Sequence, residues 1–148
     1  MLLRDEVSGV REEDYPRVVE VWEASVRATH HFVAESDIEI FRAMVRGVLP
    51  HITLACMRSE DGAVVGFTAV ADGKVEMLFI HPDYRGQGVG RRLLSYAIDT
   101  LDATGLDVNE QNEQALGFYL HMRFEVVGRS ELDGTGKPYP LLHMRLIA

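Results

Sequence analysis

Residues Met77-Leu78-Phe79-Ile80-His81-Pro82-Asp83-Tyr84-Arg85-Gly86-Gln87-Gly88-Val89-Gly90-Arg91-Arg92 pass from an apolar strand pattern through a glycine-rich turn into a helix pattern. Glycines at 86, 88 and 90 let the chain turn sharply and let a ligand approach the backbone closely. Such a turn leaves consecutive N–H groups aimed at negatively charged oxygens, and the helix that follows adds partial positive charge at its start. The stretch therefore reads as a phosphate-binding turn. It is not a Walker loop, because Gly90 is followed by Arg91 and Arg92 rather than Lys and Ser or Thr. Nor is it the dinucleotide fingerprint G-x-G-x-x-G, whose third glycine would fall at Arg91 or Leu93.

The spacing that fits is Arg-x-x-Gly-x-Gly, formed by Arg85, Gly88 and Gly90. It resembles the coenzyme A pyrophosphate loop of the GNAT family of N-acetyltransferases. A second segment, from Asn112 to Phe124, is similar to that family's pattern Asn-x-x-Ala-x-x-Phe-Tyr-x-x-x-Gly-Phe, matching it at Asn112, Ala115, Phe118, Tyr119 and Phe124. Arg123 stands where the family usually has glycine. A left-handed residue there would cost a non-glycine roughly 1–2 kcal/mol, so the helix is expected to end differently. Asn109-Glu110-Gln111, Ala28-Thr29-His30 and the tail from Gly136 to Leu142 resemble the YjaB-type branch of bacterial members, so the similarity spans nearly the whole chain.

Composition agrees with this resemblance. The 148 residues are 47% hydrophobic, enough for one globular domain over 1–148 with its own core. No apolar run is long enough for a membrane span, and Met1 to Glu6 lacks the basic and apolar regions of a signal peptide, so a cytoplasmic protein is expected. The lone Cys56, inside an apolar run, reads as a core thiol. A net charge of −8 argues against nucleic-acid binding and suits a cationic substrate. Repulsion of coenzyme A is screened beyond about 8 Å at physiological salt, and Arg85, Arg91 and Arg92 form a local basic cluster.

Periodicity predicts a mixed α/β chain. An edge strand is expected at 2–7, helices at 14–28 and 36–48, and an antiparallel meander at 52–58, 63–71 and 74–80 with turns at Asp61-Gly62 and Asp72-Gly73. A helix at 88–102, a short parallel strand at 106–108, a helix at 113–122 and closing strands at 124–130 and 140–147 complete the pattern. The resemblance implies the GNAT fold, a mixed sheet of about seven strands with helices on both faces and a splayed central pair, here 74–80 and 106–108. The pantetheine arm enters between the splayed strands, pairing with the backbone of Leu78, Phe79 and Ile80.

What the resemblance implies chemically is transfer of an acetyl group from acetyl-CoA to a primary amine by direct attack, through a tetrahedral oxyanion and without a metal. The loop residues Arg85, Gly86, Gln87, Gly88, Val89, Gly90 and Arg91 would hold the phosphates, and Asn112 the pantetheine arm. Asn112 reads equally as a helix N-cap. Tyr119 would protonate or hydrogen-bond the departing thiolate, although spacing alone places it on an inner helix face.

An amine of pKa ~10.4 must also lose a proton at neutral pH, a requirement equivalent to ~4.6 kcal/mol. Glu76, at the start of the strand leading to the loop, is a base candidate that reads equally as an exposed strand charge. His30 and His31 are alternatives bordering the acceptor, and Trp22 and Tyr139 are candidate acceptor contacts. His143 is a weaker one. Adjacent His30 and His31 lack metal-ligand spacing. The expected acceptor is a small-molecule amine, and the expected assembly is a monomer or homodimer. The alternatives are acetylation of a protein or peptide, and a non-catalytic acyl-CoA sensor on the same scaffold.

Overall fold

The structure, a computed structural model, describes residues 2–148. Seven strands form one sheet: β1 (Ser8–Gly9), β2 (Thr53–Arg58), β3 (Val64–Ala71), β4 (Lys74–Ile80), β5 (Gly105–Asn109), β6 (Phe124–Ser130) and β7 (Leu141–Leu146). Their order is β1-β2-β3-β4-β5-β7-β6, and only the central β4–β5 pair is parallel. Four α-helices accompany them: α1 (Tyr15–Thr29), α2 (Glu35–Val48), α3 (Val89–Asp99) and α4 (Glu113–His121).

The helices divide between the two faces because alternate strand residues do. Val18, Val21 and Trp22 of α1 pack with Phe67, Met77 and Phe79 on one face. Leu94 and Ala97 of α3 and Tyr119 of α4 pack with Val75, Leu106, Val108 and Phe124 on the other. Gly66 of β3 lets α3 approach closely. A Cβ there would lie 2.8 Å from Val89 Cγ1, so the position where the helix begins depends on the absence of a side chain.

Asp72 and Gly73, both with positive φ, make the tight β3–β4 turn expected of an Asp-Gly pair. The expected strand at 2–7 is corrected. The edge strand is the two-residue Ser8–Gly9, and Leu3 makes a single bridge to Ser59. The expectation for the end of α4 is also corrected. Arg123 adopts the left-handed conformation at φ 70°, and its carbonyl accepts from Ile147 N, so the residue that follows β7 holds the turn that glycine would otherwise ease.

Two irregularities of β4 create the site. Its parallel pairing with β5 consists of Lys74 with Gly105 and Val75 with Leu106, after which the strands part. Its register with β3 jumps from Val70–Val75 to Ala69–Met77, leaving Glu76 as a bulge with no partner on β3. The fork and the bulge therefore coincide.

Candidate active site

A cavity of about 400 Å³ opens in the fork, between the C-terminal halves of β4 and β5. Of the sequence-predicted residues, Glu76, Leu78, Phe79 and Ile80 form its β4 wall. Arg85, Gly86, Gly88, Val89, Gly90 and Arg91 border it from the turn and the start of α3, and Asn112 and Tyr119 from α4. His30 borders it from the end of α1.

The turn is built for an anion. Gly86 and Gly88 have φ of 74° and 82°, and a Cβ at either would meet nothing within 4 Å. Backbone conformation therefore requires these glycines, and the space beside them is open. The first intrahelical bond of α3 runs from Arg92 N to Gly88 O, so the amides of Val89, Gly90 and Arg91 point out of the helix without helical acceptors. Gly90 differs: a Cβ there would crowd Ile80 Cδ1 at 3.3 Å and the Phe118 ring at 3.5 Å. The Arg85 side chain reaches Gln114 Oε1 at 3.4 Å, joining the turn to α4. His81 Nδ1 accepts from Asp83 N and shapes the approach to it. Open glycines, outward amides and a neighbouring arginine suit a pyrophosphate.

Across the cavity, Asn112 caps α4 through its Oδ1, which accepts from Ala115 N at 3.2 Å, while its Nδ2 lies 3.5 Å from His30 Nε2. Thr29 Oγ1 donates to Ser25 O and lies 2.8 Å from His30 Nδ1. Because that hydroxyl's proton is committed to Ser25, Nδ1 carries the imidazole proton and Nε2 accepts from Asn112. Burial, then the charges of Arg85 and His31, hold the His30 pKa down to about 4. Tyr119 is buried against Phe118 and Phe124, and burial raises its phenol pKa. No hydrogen bond contributes to that shift, so the protonated hydroxyl is available at the cavity edge.

Three expected acceptor contacts lie off the cavity. Trp22 is 4% exposed in the α1 core and lines no part of the cavity, because its helix face turns toward Phe67. His31 is exposed and lies off the cavity. Tyr139 is buried beside Phe32 and Phe41, accepting from Ala34 N and donating to Asp37 Oδ2 at 2.5 Å, so its hydroxyl is occupied in a latch. The Gln87 side chain also lies off the cavity. Sequence reasoning missed Asp107, which lines the cavity from β5 and is the first residue beyond the last β4–β5 bridge. Its only sequence signal is a charge between the apolar Leu106 and Val108.

Among the described residues no group of His, Cys, Asp and Glu is arranged to hold a metal ion, and no helix is long and apolar enough to cross a membrane.

Residues 27–126 match the family described as Acetyltransferase (GNAT) domain. The peptidyl-lysine N-acetyltransferase YjaB of Escherichia coli K12 is 42% identical over 137 residues, covering 93% of this chain and 93% of that protein. The apo-form solution structure of YjaB from Escherichia coli superposes with a TM-score of 0.89 at 39% identity, covering 100% of this chain and 99% of that one. The PaiA N-acetyltransferase of Thermoplasma acidophilum, solved in complex with coenzyme A, shares the fold with a TM-score of 0.72 at 20% identity, covering 99% and 100%.

Proposed function

The chain belongs to the GNAT family and is an acetyl-CoA-dependent N-acetyltransferase, and we propose that its acceptor is a primary alkylamine of the lysine side-chain type. The observation that carries this reading is the forked β4–β5 cavity, bordered by the anion turn and Tyr119 and carrying carboxylates at its apex. The E. coli relative's name, peptidyl-lysine N-acetyltransferase, favours a protein or peptide acceptor over the free small amine expected from the sequence. The Tyr139–Asp37 latch, joined by Lys137 Nζ at 2.9 Å from Asp37 Oδ1, favours a small amine by tying the β6–β7 connection to the start of α2. The reading treats residues 1–148 as one domain working in the cytoplasm.

The bound thioester supplies an activated acetyl group, and the residues supply the rest. The amides of Val89, Gly90 and Arg91, with Arg85, hold the phosphates. Backbone of Leu78, Phe79 and Ile80 pairs with the pantetheine amides, and Asn112 borders the arm while capping α4. The amine lone pair forms the new N–C bond as the C–S bond breaks, and Tyr119 directs its hydroxyl proton at the departing sulfur. Glu76, released from strand pairing by its bulge and exposed, takes the amine proton. His30 is neutral at working pH with its Nε2 toward Asn112, and with a pKa near 4 it is a weaker base than an ordinary histidine.

Thiol release from acetyl-CoA, measured across a lysine-containing peptide, polyamines, amino sugars and alcohols, tests the reading. Lysine-type amines are expected to lead. Preference for an alcohol over every amine, or coenzyme A binding with no transfer to any amine, defeats it.

A further inference from the structure

Four polar side chains form a continuous row across four strands. Lys74 Nζ donates to Asp107 Oδ2 at 2.6 Å, Asp107 Oδ1 lies 2.6 Å from His143 Nδ1, and His143 Nε2 lies 2.7 Å from Ser130 Oγ. Asp107 and His143 are direct cross-strand partners on β5 and β7. Leu106 and Val108 pack under α3 and α4, so Asp107 between them belongs to the opposite face, the one that α1 covers.

Serine, histidine and aspartate hydrogen-bonded in this order match the arrangement of an acyl-transferring triad. In such a triad the hydroxyl faces the reaction and the carboxylate stands behind. Here the orientation is reversed. Ser130 is on the outermost strand and lines no part of the cavity, whereas Asp107 lines it at the apex of the fork. The member of the row that borders the cavity, and is available to a reactant, is the anion.

We propose that Asp107 receives the cationic acceptor at the fork, and that Lys74, His143 and Ser130 are positioning residues that keep its carboxylate aimed there. The proposal rests on the amine-acceptor reading and names the residue that selects for charge. A carboxylate offers about four lone-pair sites, of which Lys74 and His143 occupy one on each oxygen, so each oxygen can accept another N–H. Burial works to raise the Asp107 pKa, but Lys74 and then His143 hold it below the usual range, so the group is ionised at neutral pH, where an alkylamine is protonated. Glu76 and Asp107 together outnumber Lys74, leaving the apex net negative. Contact with the chain's own cation thus does not cancel the attraction for an incoming one.

The test uses the protein loaded with coenzyme A, which carries no acetyl group, so binding is read without turnover. Calorimetric titration compares Nα-acetyl-lysine amide with Nα-acetyl-norleucine amide, which has an uncharged chain. The parent is expected to prefer the lysine probe. Asp107→Asn should weaken that probe tenfold or more, leave the norleucine probe within twofold and leave coenzyme A affinity unchanged. His143→Gln should give a smaller loss confined to the lysine probe, and Asp107→Glu should recover part of the affinity. No preference for lysine in the parent, equal losses of both probes, or no loss in Asp107→Asn overturns the proposal. Failure of the amine-transfer reading appears separately, as absent acetyl transfer by a protein that still binds the lysine probe.

Discussion

The imidazole of His30 and the carboxamide of Asn112, 82 residues apart in sequence, approach to 3.5 Å at the cavity. The contact joins the end of α1 to the start of α4, so the two helices that flank the fork from opposite faces meet through a neutral histidine. Its neutrality has a thermodynamic signature. The unfolded chain protonates His30 near the ordinary 6.5, and the folded chain only near 4. Protons therefore bind preferentially to the unfolded state in that window, so this contribution to stability is complete above about pH 6.5 and is lost as pH falls toward 4. Urea unfolding at pH 7.5 and pH 5 should show a smaller loss of stability on acidification in His30→Asn than in the parent. An identical loss in both proteins would show that His30 is not buried in its neutral form.

Gly88 tests the anion turn. Its φ of 82° imposes roughly 1–2 kcal/mol on any other residue, and a Cβ there projects into open space rather than into the protein. Gly88→Ala should therefore fold with a modest loss of stability. Gly88→Asp adds a charge of the wrong sign beside the phosphates, and acetyl-CoA should no longer raise its melting temperature as it does for the parent. Retained binding in the aspartate variant would remove the phosphates from this turn.

The turn was legible in the sequence because glycine at alternate positions has few other uses, and Lys74–Ile80 and Phe124–Ser130 match their expected bounds because their patterns are local. The fork was legible only through the family resemblance, since no local pattern tells two strands to part after two bridges. The edge strand was misplaced because two residues of pairing are decided by their partners Cys56 and Ala55, not by alternation in the strand itself. Trp22 and Tyr139 lie off the cavity because helix phase buries one and Asp37, 102 residues away, engages the other, neither of which a local pattern shows. Asp107 escaped notice because its role depends on β7 lying beside β5, which brings His143 to it across 36 residues.

Arg58 anchors a largely buried ion pair outside the site. It is 7% exposed and donates to both Asp14 oxygens, to the carbonyls of Gly9 and Gly62, and to Ser8 Oγ, tying β1, β2 and the start of α1 together. The Arg58 hydrogen bond holds the Asp14 pKa down to about 2. Arg58→Met strips that half-buried carboxylate of its guanidinium partner, leaving the Arg11 amide at 2.9 Å and the Arg11 guanidinium at 3.8 Å, and should cost about 3–5 kcal/mol. For a chain of this size that corresponds to a fall in Tm of about 6–20 °C. Because the depressed Asp14 pKa stabilises the folded state above its ordinary 3.8 and that share is lost as pH falls toward 2, the parent and variant should converge in acid. A Tm difference that is small at pH 7, or undiminished at pH 3, would contradict this account.

Tyr119 separates chemistry from binding. Its ring packs between Phe118 and Phe124, with centroids at 5.3 and 6.2 Å, so Tyr119→Phe keeps the contacts that hold α4 to β6. The hydroxyl makes no hydrogen bond that shifts its pKa, so its removal leaves no buried partner unsatisfied and the variant should fold. If the proton is offered to the departing sulfur only as the C–S bond breaks, turnover should fall about 10²–10⁴-fold. Acetyl-CoA affinity should change little, because an interaction made only in the transition state adds nothing to ground-state binding. Burial raises the phenol pKa, so the group is protonated throughout the working range and should not itself set a limb of the parent's pH profile. Steady-state turnover beside direct titration of acetyl-CoA, for both proteins and with the best lysine-type amine, distinguishes the outcomes. Unchanged turnover returns Tyr119 to the packing of α4 and leaves the thiolate to be protonated by solvent, whereas equal losses of turnover and affinity would make it a binding residue.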